Sequence, residues 1–356
     1  MLSRPSAVLV AWLLGWAHLA AAPAEALPPG TDGAIQPQVT MGQDGRIHIV
    51  YGQGSEIRYV TSADGRSFAN PIVVGRLDKL ALGMRRGPRI AVSPDKLVVT
   101  AQSHSEGNLY AWTSPDGLEW SAQPPLNEVP SSAREGLHAL AADGRGRAAV
   151  VWLDLRTGKM SLWAKFSADG GRSWSEDRQV YASPDGPICQ CCAPTVAFAP
   201  DGRIGILWRN LVQGARDLYA VETTDGRNFT PARKLGQGSW LLKACPMDGG
   251  ALAYDPTGGW LPVWRRARSV FAGDKPELER KLADGATQPV ATFVGTTPLI
   301  LWEAGGSLMM QRGEAAALPY AAGGRFASIA SHGPQAVVAY EGMSQGRRTI
   351  FCELLR

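Results

Sequence analysis

The chain contains Ser62-Ala-Asp-Gly-Arg-Ser-Phe68 and repeats the same turn chemistry as Ser114-Pro-Asp-Gly-Leu-Glu-Trp120, Ser167-Ala-Asp-Gly-Gly-Arg-Ser-Trp174 and Thr224-Asp-Gly-Arg-Asn-Phe229. The aspartates of these segments, Asp64, Asp116, Asp169 and Asp225, lie 52, 53 and 56 residues apart. Asp and Gly tolerate the backbone angles of a tight hairpin turn, and the terminal aromatic can pack beneath it. A fixed period of this length predicts an array of similar structural units.

A second repeat lies beneath the first. Each unit opens with two short apolar strands joined by a turn, and the turns include Asp44-Gly45, Asp143-Gly144 and Asp201-Gly202, which are hairpin signals. The units are predicted to begin near residues 36, 88, 137, 194, 249, 288 and 325. Four strands per unit are typical of a propeller blade. The sequence therefore predicts an all-β, single-domain propeller of seven four-stranded blades, with six blades as the alternative. The last unit has room for about three strands, so either it stays three-stranded or a segment near the mature N-terminus completes it.

The four aspartate segments resemble the Asp-box (BNR) repeat, Ser-x-Asp-x-Gly-x-x-Trp, of sialidase-like β-propellers, with Phe68 and Phe229 in the place of Trp. In such propellers the boxes are structural turns, so the resemblance implies a fold and leaves activity open. Sialidases hold a substrate carboxylate with three arginines and use a Tyr–Glu pair and an Asp for catalysis. Their Arg-Ile-Pro motif should fall near Ala34–Val39, where this chain has no arginine, and Arg89-Ile90-Ala91 lies in the second unit. We therefore do not expect the sialidase machinery.

The N-terminus has the features of a secretory signal. Arg4 precedes an apolar run from Ala7 to Ala22, and Ala24-Glu25-Ala26 is an A-x-A cleavage pattern. We interpret residues 1–26 as a signal peptide and 27–356 as the propeller domain, exported to a periplasm or beyond. An uncleaved anchor is the alternative, but the run is shorter than the ~20 residues of a spanning helix. We therefore expect no membrane span after cleavage.

Composition agrees with this interpretation. The 356 residues include 41 glycines, which suits an all-β array with many tight turns. The formal net charge of +4 is small and scattered, which argues against a nucleic-acid partner.

Four of the five cysteines lie in two short segments of neighbouring units. Cys189, Cys191 and Cys192 precede unit four, and Cys245 precedes unit five. We call the loop that precedes the innermost strand of a blade its leading loop. In a propeller the leading loops and the loops joining strands two and three share one face, at the mouth of the central channel, whereas the Asp-boxes lie on the other face. The four cysteines are therefore expected to meet at that mouth.

Two kinds of site fit these cysteines, besides redox chemistry on a substrate. A disulfide between Cys245 and one of the other three is natural for an exported protein, and a second bridge from Cys189 to Cys191 or Cys192 is the cramped addition to it. A soft-metal site for copper(I) or zinc is the alternative, with Met247 and His138 as further ligands.

Other polar residues of the same face are candidates for a ligand site. Arginines around a channel mouth can hold a carboxylate bidentately. The predicted ligand-binding residues are Arg85, Arg209, Asn210, Asp217, Trp240 and Arg265. If the protein is a glycoside hydrolase acting on acidic sugars, the catalytic candidates are Asp154, Glu303, Tyr340 and Glu341. The favoured hypothesis is an exported binding protein rather than an enzyme, whose partner is a metal, small-molecule or glycan ligand. A cell-envelope scaffold that binds another protein is the third possibility.

Overall fold

The computed structural model describes residues 24–28 and 30–355, and almost all of its regular structure is antiparallel β-sheet. Its strands form seven four-stranded sheets. The remaining element of this part of the chain is a short 3-10 helix, Pro276–Leu278. No helix among the described residues is long and apolar enough to cross a bilayer. Most of the predicted signal peptide, residues 1–23, lies outside the described residues.

The strands follow one another around the ring in chain order. Blade one contains β2 (Ile35–Met41), β3 (Ile47–Gln53), β4 (Glu56–Ser62) and β5 (Ile72–Arg76), and blade two contains β6 (Arg89–Ser93), β7 (Lys96–Gln102), β8 (Leu109–Ser114) and β9 (Ser121–Ala122). Blade three contains β10 (His138–Ala142), β11 (Ala148–Asp154), β12 (Ser161–Ser167) and β13 (Arg178–Tyr181). Blade four contains β14 (Thr195–Phe198), β15 (Ile204–Arg209), β16 (Leu218–Thr223) and β17 (Arg233–Lys234).

Three further blades complete the ring. Blade five contains β18 (Gly250–Tyr254), β19 (Trp260–Arg266), β20 (Ser269–Ala272) and β21 (Arg280–Asp284), and blade six contains β22 (Ala286–Val294), β23 (Thr297–Ala304), β24 (Ser307–Arg312) and β25 (Leu318–Ala322). Blade seven contains β26 (Arg325–His332), β27 (Gln335–Ser344), β28 (Arg347–Leu355) and β1 (Glu25–Ala26). The prediction of seven four-stranded blades is confirmed.

The core lies between neighbouring blades. The second strand is the most buried element of most blades, and every residue of β11 and β15 is buried. Trp152 and Trp208, at matching positions of these strands, are both fully buried. Such large aromatics fill the wedge between two twisted sheets, so each blade depends on its neighbours for its core.

The N-terminal strand closes the ring. Glu25 pairs with Cys352 and Ala26 with Phe351, and the Leu27 amide donates to the Ile350 carbonyl over 2.9 Å. The last blade is therefore completed by the N-terminal segment, one of the two arrangements expected from the sequence. Cleavage after Ala26 would remove both residues of β1.

The Asp-boxes are structural turns between strands three and four of blades one to four. The Asp64 carboxylate accepts the amides of Arg66 and Ser67 at 2.8 Å and the Ser62 hydroxyl at 3.0 Å. These amide bonds lower the pKa of Asp64 to about 2. In the fourth box the bonding hydroxyl belongs to Thr223, one residue before the Thr224 of the sequence pattern. The boxes lie on the face opposite the leading loops.

Candidate metal centre and channel mouth

The leading loop of blade four buries three thiols. Cys189, Cys191 and Cys192 are 1, 5 and 1 % exposed. The Cys189 amide donates to the Arg209 carbonyl over 3.1 Å, which fixes the loop against the end of β15. The Cys189 sulfur lies 3.6 Å from that of Cys191 and 3.8 Å from that of Cys192, and all three sulfurs lie within 4.8 Å of one another.

These distances are those of separate thiols. All five cysteines are free, and the sulfurs of the cluster are well beyond the ~2.05 Å of a disulfide. The predicted disulfide is therefore not formed in this structure. Thiolates that share one metal ion at about 2.3 Å in tetrahedral geometry are ~3.8 Å apart, close to the two distances found here.

An arginine provides the positive charge of the site. Arg216, in the loop between β15 and β16, donates Nη1 to the Cys189 sulfur at 3.0 Å and Nε to the Leu242 carbonyl at 3.0 Å. Hydrogen bonds with the Cys191 and Cys192 thiols, with the charge of Arg216 adding, lower the pKa of Cys189 well below its usual range. The hydrogen bond to Cys189 raises the pKa of Cys191, and burial raises that of Cys192. Deprotonation at Cys189, beside the guanidinium of Arg216, is therefore favoured over deprotonation at Cys191 or Cys192.

The leading loop of blade five contributes Met247, and Cys245 remains outside the cluster. Met247 packs against the three buried cysteines, in a left-handed backbone conformation (φ 54°). Cys245 is exposed, and its sulfur is not among the three that lie within 4.8 Å of one another. The prediction that four cysteines meet is therefore wrong for Cys245: the cluster contains three cysteines and the thioether of Met247.

His138 is held elsewhere. Its Nδ1 lies 3.0 Å from Gln102 Oε1 and its Nε2 lies 3.0 Å from Thr100 Oγ1. Both ring nitrogens are therefore engaged within blades two and three, away from the thiols. The structure does not bring this predicted ligand to the cluster.

The predicted ligand-binding residues around blade four stabilise the loops next to the thiol cluster. Arg209 is 1 % exposed and donates to the carbonyls of Asp248, Arg216 and Arg265. The Trp240 ring has the guanidinium of Arg209 at 5.3 Å and that of Arg265 at 5.2 Å. These groups stabilise the loops that carry the cysteines and leave little for a ligand to contact.

Asn210 and Asp217 complete this buried network. Asn210 donates its side-chain amide to the Tyr181 hydroxyl at 2.8 Å. Asp217 accepts the Trp240 amide at 2.8 Å and lies 3.6 Å from the Lys234 ammonium group. Both are buried, so they too serve the loops rather than an open pocket.

The mouth of the central channel forms a cavity of about 230 Å³. Inner strands of all seven blades line it, together with Arg85, Arg89 and Asp248. None of the described cysteines is among the lining residues, although Ala193 and Asp248 directly follow Cys192 and Met247. The thiol cluster therefore lies beside the channel mouth, one residue back from its wall. Of the predicted ligand-binding residues, Arg85 lines this cavity.

Carboxylates around the mouth bind main-chain amides of the next blade. Glu341 accepts the Gln36 amide at 2.8 Å, Glu303 that of Phe326 at 2.7 Å, and Asp248 that of Gln288 at 3.0 Å. Gln36, Phe326 and Gln288 all have positive φ, at 56, 48 and 54°. We call these three contacts the carboxylate latches. Two of the four catalytic candidates, Glu303 and Glu341, therefore have structural roles in these latches.

The other two catalytic candidates are also committed to packing. Asp154 is fully buried, and its carboxylate binds Ser132, Trp152 and Arg156. The Tyr340 ring stacks on Phe351 with centroids 5.6 Å apart. The structure therefore shows no open pair of these carboxylates facing the cavity.

Two residues of the site were not assigned their roles from the sequence. The position of Arg216 beside Asp217, in the loop after Trp208 of the blade that carries the cysteines, marks it out in the sequence, but the sequence does not predict its contact with Cys189. Arg89 was considered only as a poor match to a sialidase motif, yet its place at the start of β6 puts it on the channel wall.

Solved structures of similar fold exist. The GH93 α-L-arabinofuranosidase of Fusarium graminearum has a TM-score of 0.54 and 14% identity, over 94% of this chain and 96% of that one. The β-propeller domain of the Trilobed protease from Pyrococcus furiosus has a TM-score of 0.54 and 11% identity, over 91% and 95%. The Hadza microbial sialidase Hz136 has a TM-score of 0.50 and 15% identity, over 79% of this chain and 65% of that one.

Sequence comparison adds no family. No protein-family model matches the chain, and no curated protein matches it. At identities of 11–15% the structural likeness concerns the fold alone. Together with the Asp-box turns and the seven closed blades, it shows that this chain is a β-propeller of the sialidase-like fold.

Proposed function

We propose that this protein is an exported metal-binding protein that holds one copper(I) ion through Cys189, Cys191 and Cys192. The observation that carries the proposal is the set of three buried sulfurs within 4.8 Å of one another. The C-x-C-C spacing brings the three sulfurs together, and their separations of 3.6 and 3.8 Å match those of thiolates that share one metal ion. Export is supported by the apolar run and the A-x-A pattern at the N-terminus.

The donor set favours copper(I) over zinc. Thiolates and thioethers are soft ligands, which copper(I) prefers. The fourth group packed on the cluster is the thioether of Met247, whereas structural zinc sites are completed by a fourth Cys or a His. His138, which would suit zinc, is bonded to Gln102 and Thr100.

Charge and burial also suit a metal. Three thiolates around one monovalent ion leave a net charge of −2, which Arg216 partly neutralises from 3.0 Å. The low exposure of the sulfurs excludes competing water and bulky oxidants. Arg209 and Arg216 donate to carbonyls of the leading loop of blade five, and the Cys189 amide donates to the Arg209 carbonyl. Both loops are thereby held in place without a metal, which reduces the ordering cost of binding.

A copper titration tests the proposal. Anaerobic, reduced protein is titrated with copper(I) in competition with a chromophoric chelator such as bicinchoninate. We expect one ion per chain for the native protein and a loss of at least tenfold in affinity for Cys192→Ser. Cys352→Ala is the matched control, because Cys352 is also buried but belongs to β28.

The same titration can contradict the proposal. Unchanged copper affinity of Cys192→Ser, or no copper retained by the native protein against the chelator, would exclude the site. Stoichiometric zinc binding without copper binding would exclude copper(I) as the ion.

Glycoside hydrolysis has weaker support from the site. It rests on the fold shared with an arabinofuranosidase and a sialidase. Glu303 and Glu341 bind main-chain amides, and Asp154 is fully buried. Turnover of a fluorogenic sialoside or arabinofuranoside that Glu303→Gln abolishes would favour hydrolysis over metal binding.

A further inference from the structure

We infer that the mouth of the central channel contains a second binding site, for a small oxyanion, between the guanidinium groups of Arg85 and Arg89. Both side chains line the cavity of about 230 Å³ and are partly accessible from it. This site is distinct from the thiol cluster, whose cysteines do not line the cavity.

The charges around the cavity do not balance. Asp248 is the carboxylate among the lining residues, and it lies 3.5 Å from Arg265. Glu303 and Glu341, which do not line the cavity, lie 3.9 Å from Arg325 and Arg348. Arg85 and Arg89 have no carboxylate within 4 Å in the described part of the chain. The charged side chains that line the cavity are thus two arginines and one aspartate, in a partly enclosed space where Coulomb interactions are strong.

Arg89 shows the imbalance most clearly. Burial, with the charge of nearby Arg85 adding to it, lowers the pKa of Arg89 to about 10, so Arg89 stays protonated at neutral pH. Arg85 has Glu303, Asp248 and Glu341 at longer range. An anion between the two arginines would relieve their mutual repulsion without disturbing the existing ion pairs.

Both guanidinium groups are already held in position. Arg85 crosses the channel to donate to Gln288 Oε1 at 2.7 Å, the Gln288 carbonyl at 2.8 Å and the Ala327 carbonyl at 2.7 Å. Arg89 donates to the carbonyls of Gly87 and Pro88 at 3.1 Å and to that of Arg85. Carbonyls orient a guanidinium but carry no charge to neutralise it. Arg89 Nε has no protein partner among the described residues.

The size of the cavity limits the ligand. Pockets for organic ligands usually exceed about 300 Å³, whereas this one is about 230 Å³. Arginine forks match the paired oxygens of phosphate, sulfate and carboxylate. The chemical class is therefore a small oxyanion, and the three ions differ in charge and shape enough for a comparison to identify the preferred one.

Thermal unfolding in the presence of different anions tests the site. Phosphate, sulfate and acetate are each compared with sodium chloride at equal ionic strength, so that general screening cancels. A bound anion raises Tm with the logarithm of its concentration, by about 4 °C at a hundredfold excess over Kd for a chain of this size. We expect at least one of the three to exceed chloride by this margin.

Two variants test whether the anion raises Tm by binding at Arg89. Arg89→Gln is expected to abolish the anion-specific rise in Tm, and Arg134→Gln, an exposed arginine of the same face, to retain it. Crystals of the native protein soaked in selenate give a second measurement that does not depend on a variant folding. An anomalous peak between Arg85 and Arg89 supports the site. Equal Tm values in all anions, an unchanged rise in Arg89→Gln, or a selenate peak elsewhere would overturn it.

Discussion

The carboxylate latches show how single residues shape the channel mouth. Gln36, Gln288 and Phe326 adopt positive φ, which costs a residue with a side chain about 1 kcal/mol or more. Each donates its amide to a carboxylate of the preceding blade, and a charged hydrogen bond of this kind contributes about 1.5–3 kcal/mol. The latch therefore offsets the backbone strain and ties the inner strand of one blade to the blade before it.

Exposure distinguishes Cys245 from the other four cysteines. Cys189, Cys191, Cys192 and Cys352 are all at most 5 % exposed, whereas Cys245 is exposed. We predict that brief treatment of the native, reduced protein with iodoacetamide alkylates Cys245 at least tenfold faster than any other cysteine, because the reagent must reach the sulfur. Peptide mass spectrometry measures this. Cys245→Ser is the matched variant and should show almost no early labelling; comparable labelling of Cys189 or Cys192 would be inconsistent with the buried cluster.

His48 makes the fold sensitive to acid. Burial, as the largest cause, lowers its pKa from 6.5 to about 4, with Asp44 and Arg46 as the nearby charges, and its Nδ1 lies 2.7 Å from the Tyr59 hydroxyl. The unfolded chain therefore binds this proton more readily than the folded protein. The contribution of neutral His48 to stability is complete above pH 6.5 and falls by about 3 kcal/mol as the pH approaches 4.

Substitution isolates this titration. In His48→Gln the free energy of unfolding should fall less steeply between pH 6.5 and 4, even if its value at pH 7 is lower. His332→Gln, at an exposed position, should keep the native slope. Urea unfolding at several pH values gives the comparison, and a native-like slope in His48→Gln would refute the assignment.

Sequence reasoning at this scale succeeded where chemistry is local and failed where it depends on distant partners. Cys189, Cys191 and Cys192 are adjacent in the chain, so their convergence was predictable. The burial of Arg209 under Trp240 was not, since both its location and its carbonyl partners depend on the packing of two blades. The carboxylate latches were equally unpredictable from the sequence, because Glu341 and Gln36 are 305 residues apart.

At the scale of elements, the hairpins joining strands one and two connect neighbouring blades. Arg147 donates to the Gly202 carbonyl at 3.1 Å, and Arg203 donates to that of Gly258 at 2.8 Å. Each arginine also lies over an aromatic ring of the blade it contacts, Phe198 at 5.3 Å and Tyr254 at 5.7 Å. These contacts hold blades three, four and five together on the face opposite the cysteines.

Arg203 is the more highly connected of the two. It also forms ion pairs with Asp201 and Glu222, each at 2.8 Å. Because the side chain is one-third exposed, screening weakens these pairs. We predict that Arg203→Ala lowers the free energy of unfolding by about 1–2 kcal/mol, from the lost carbonyl bond and ring contact. Arg227→Ala, an exposed arginine of the fourth Asp-box, is the control and should change stability by less than about 0.5 kcal/mol in urea unfolding.

The sequence located most of these elements. The innermost strands begin at Ile35, Arg89, His138, Thr195, Gly250, Ala286 and Arg325, each within two residues of its predicted start. Blades five and six were predicted without Asp-boxes because their second strands still carry the buried Trp264 and Trp302. The outermost strands of blades two and four have two residues each, too few for a periodic pattern.

At the scale of the whole molecule, closure joins the two ends of the described chain in one sheet. The seven innermost strands contact one another in ring order, and β2 also contacts β26 of the last blade. The ring therefore closes twice, by packing at the centre and by the β1–β28 ladder at the rim. Central packing alone could keep the ring intact, so the ladder is the part whose contribution can be measured separately.

A protein with a shortened N-terminus measures how much the β1–β28 ladder contributes to stability. A protein that begins at Leu27 keeps the Leu27–Ile350 hydrogen bond but loses the pairing of Glu25 with Cys352 and of Ala26 with Phe351. We predict that it is about 2 kcal/mol less stable than a protein that begins at Ala24, the cost of one or two ladder hydrogen bonds and their packing. Glu25→Ala in the longer protein should be nearly neutral, since that side chain is exposed and the backbone pairs remain.

The same closure bears on export. Ala22-Pro23-Ala24 is a second A-x-A pattern, and cleavage after Ala24 would keep β1, whereas cleavage after Ala26 would remove it. Because loss of β1 leaves blade seven with an unpaired edge at β28, we predict that the exported protein begins at Glu25. N-terminal sequencing of protein recovered from the periplasm or medium decides between the two: a sequence starting at Leu27 would mean that the ring functions with a three-stranded last blade.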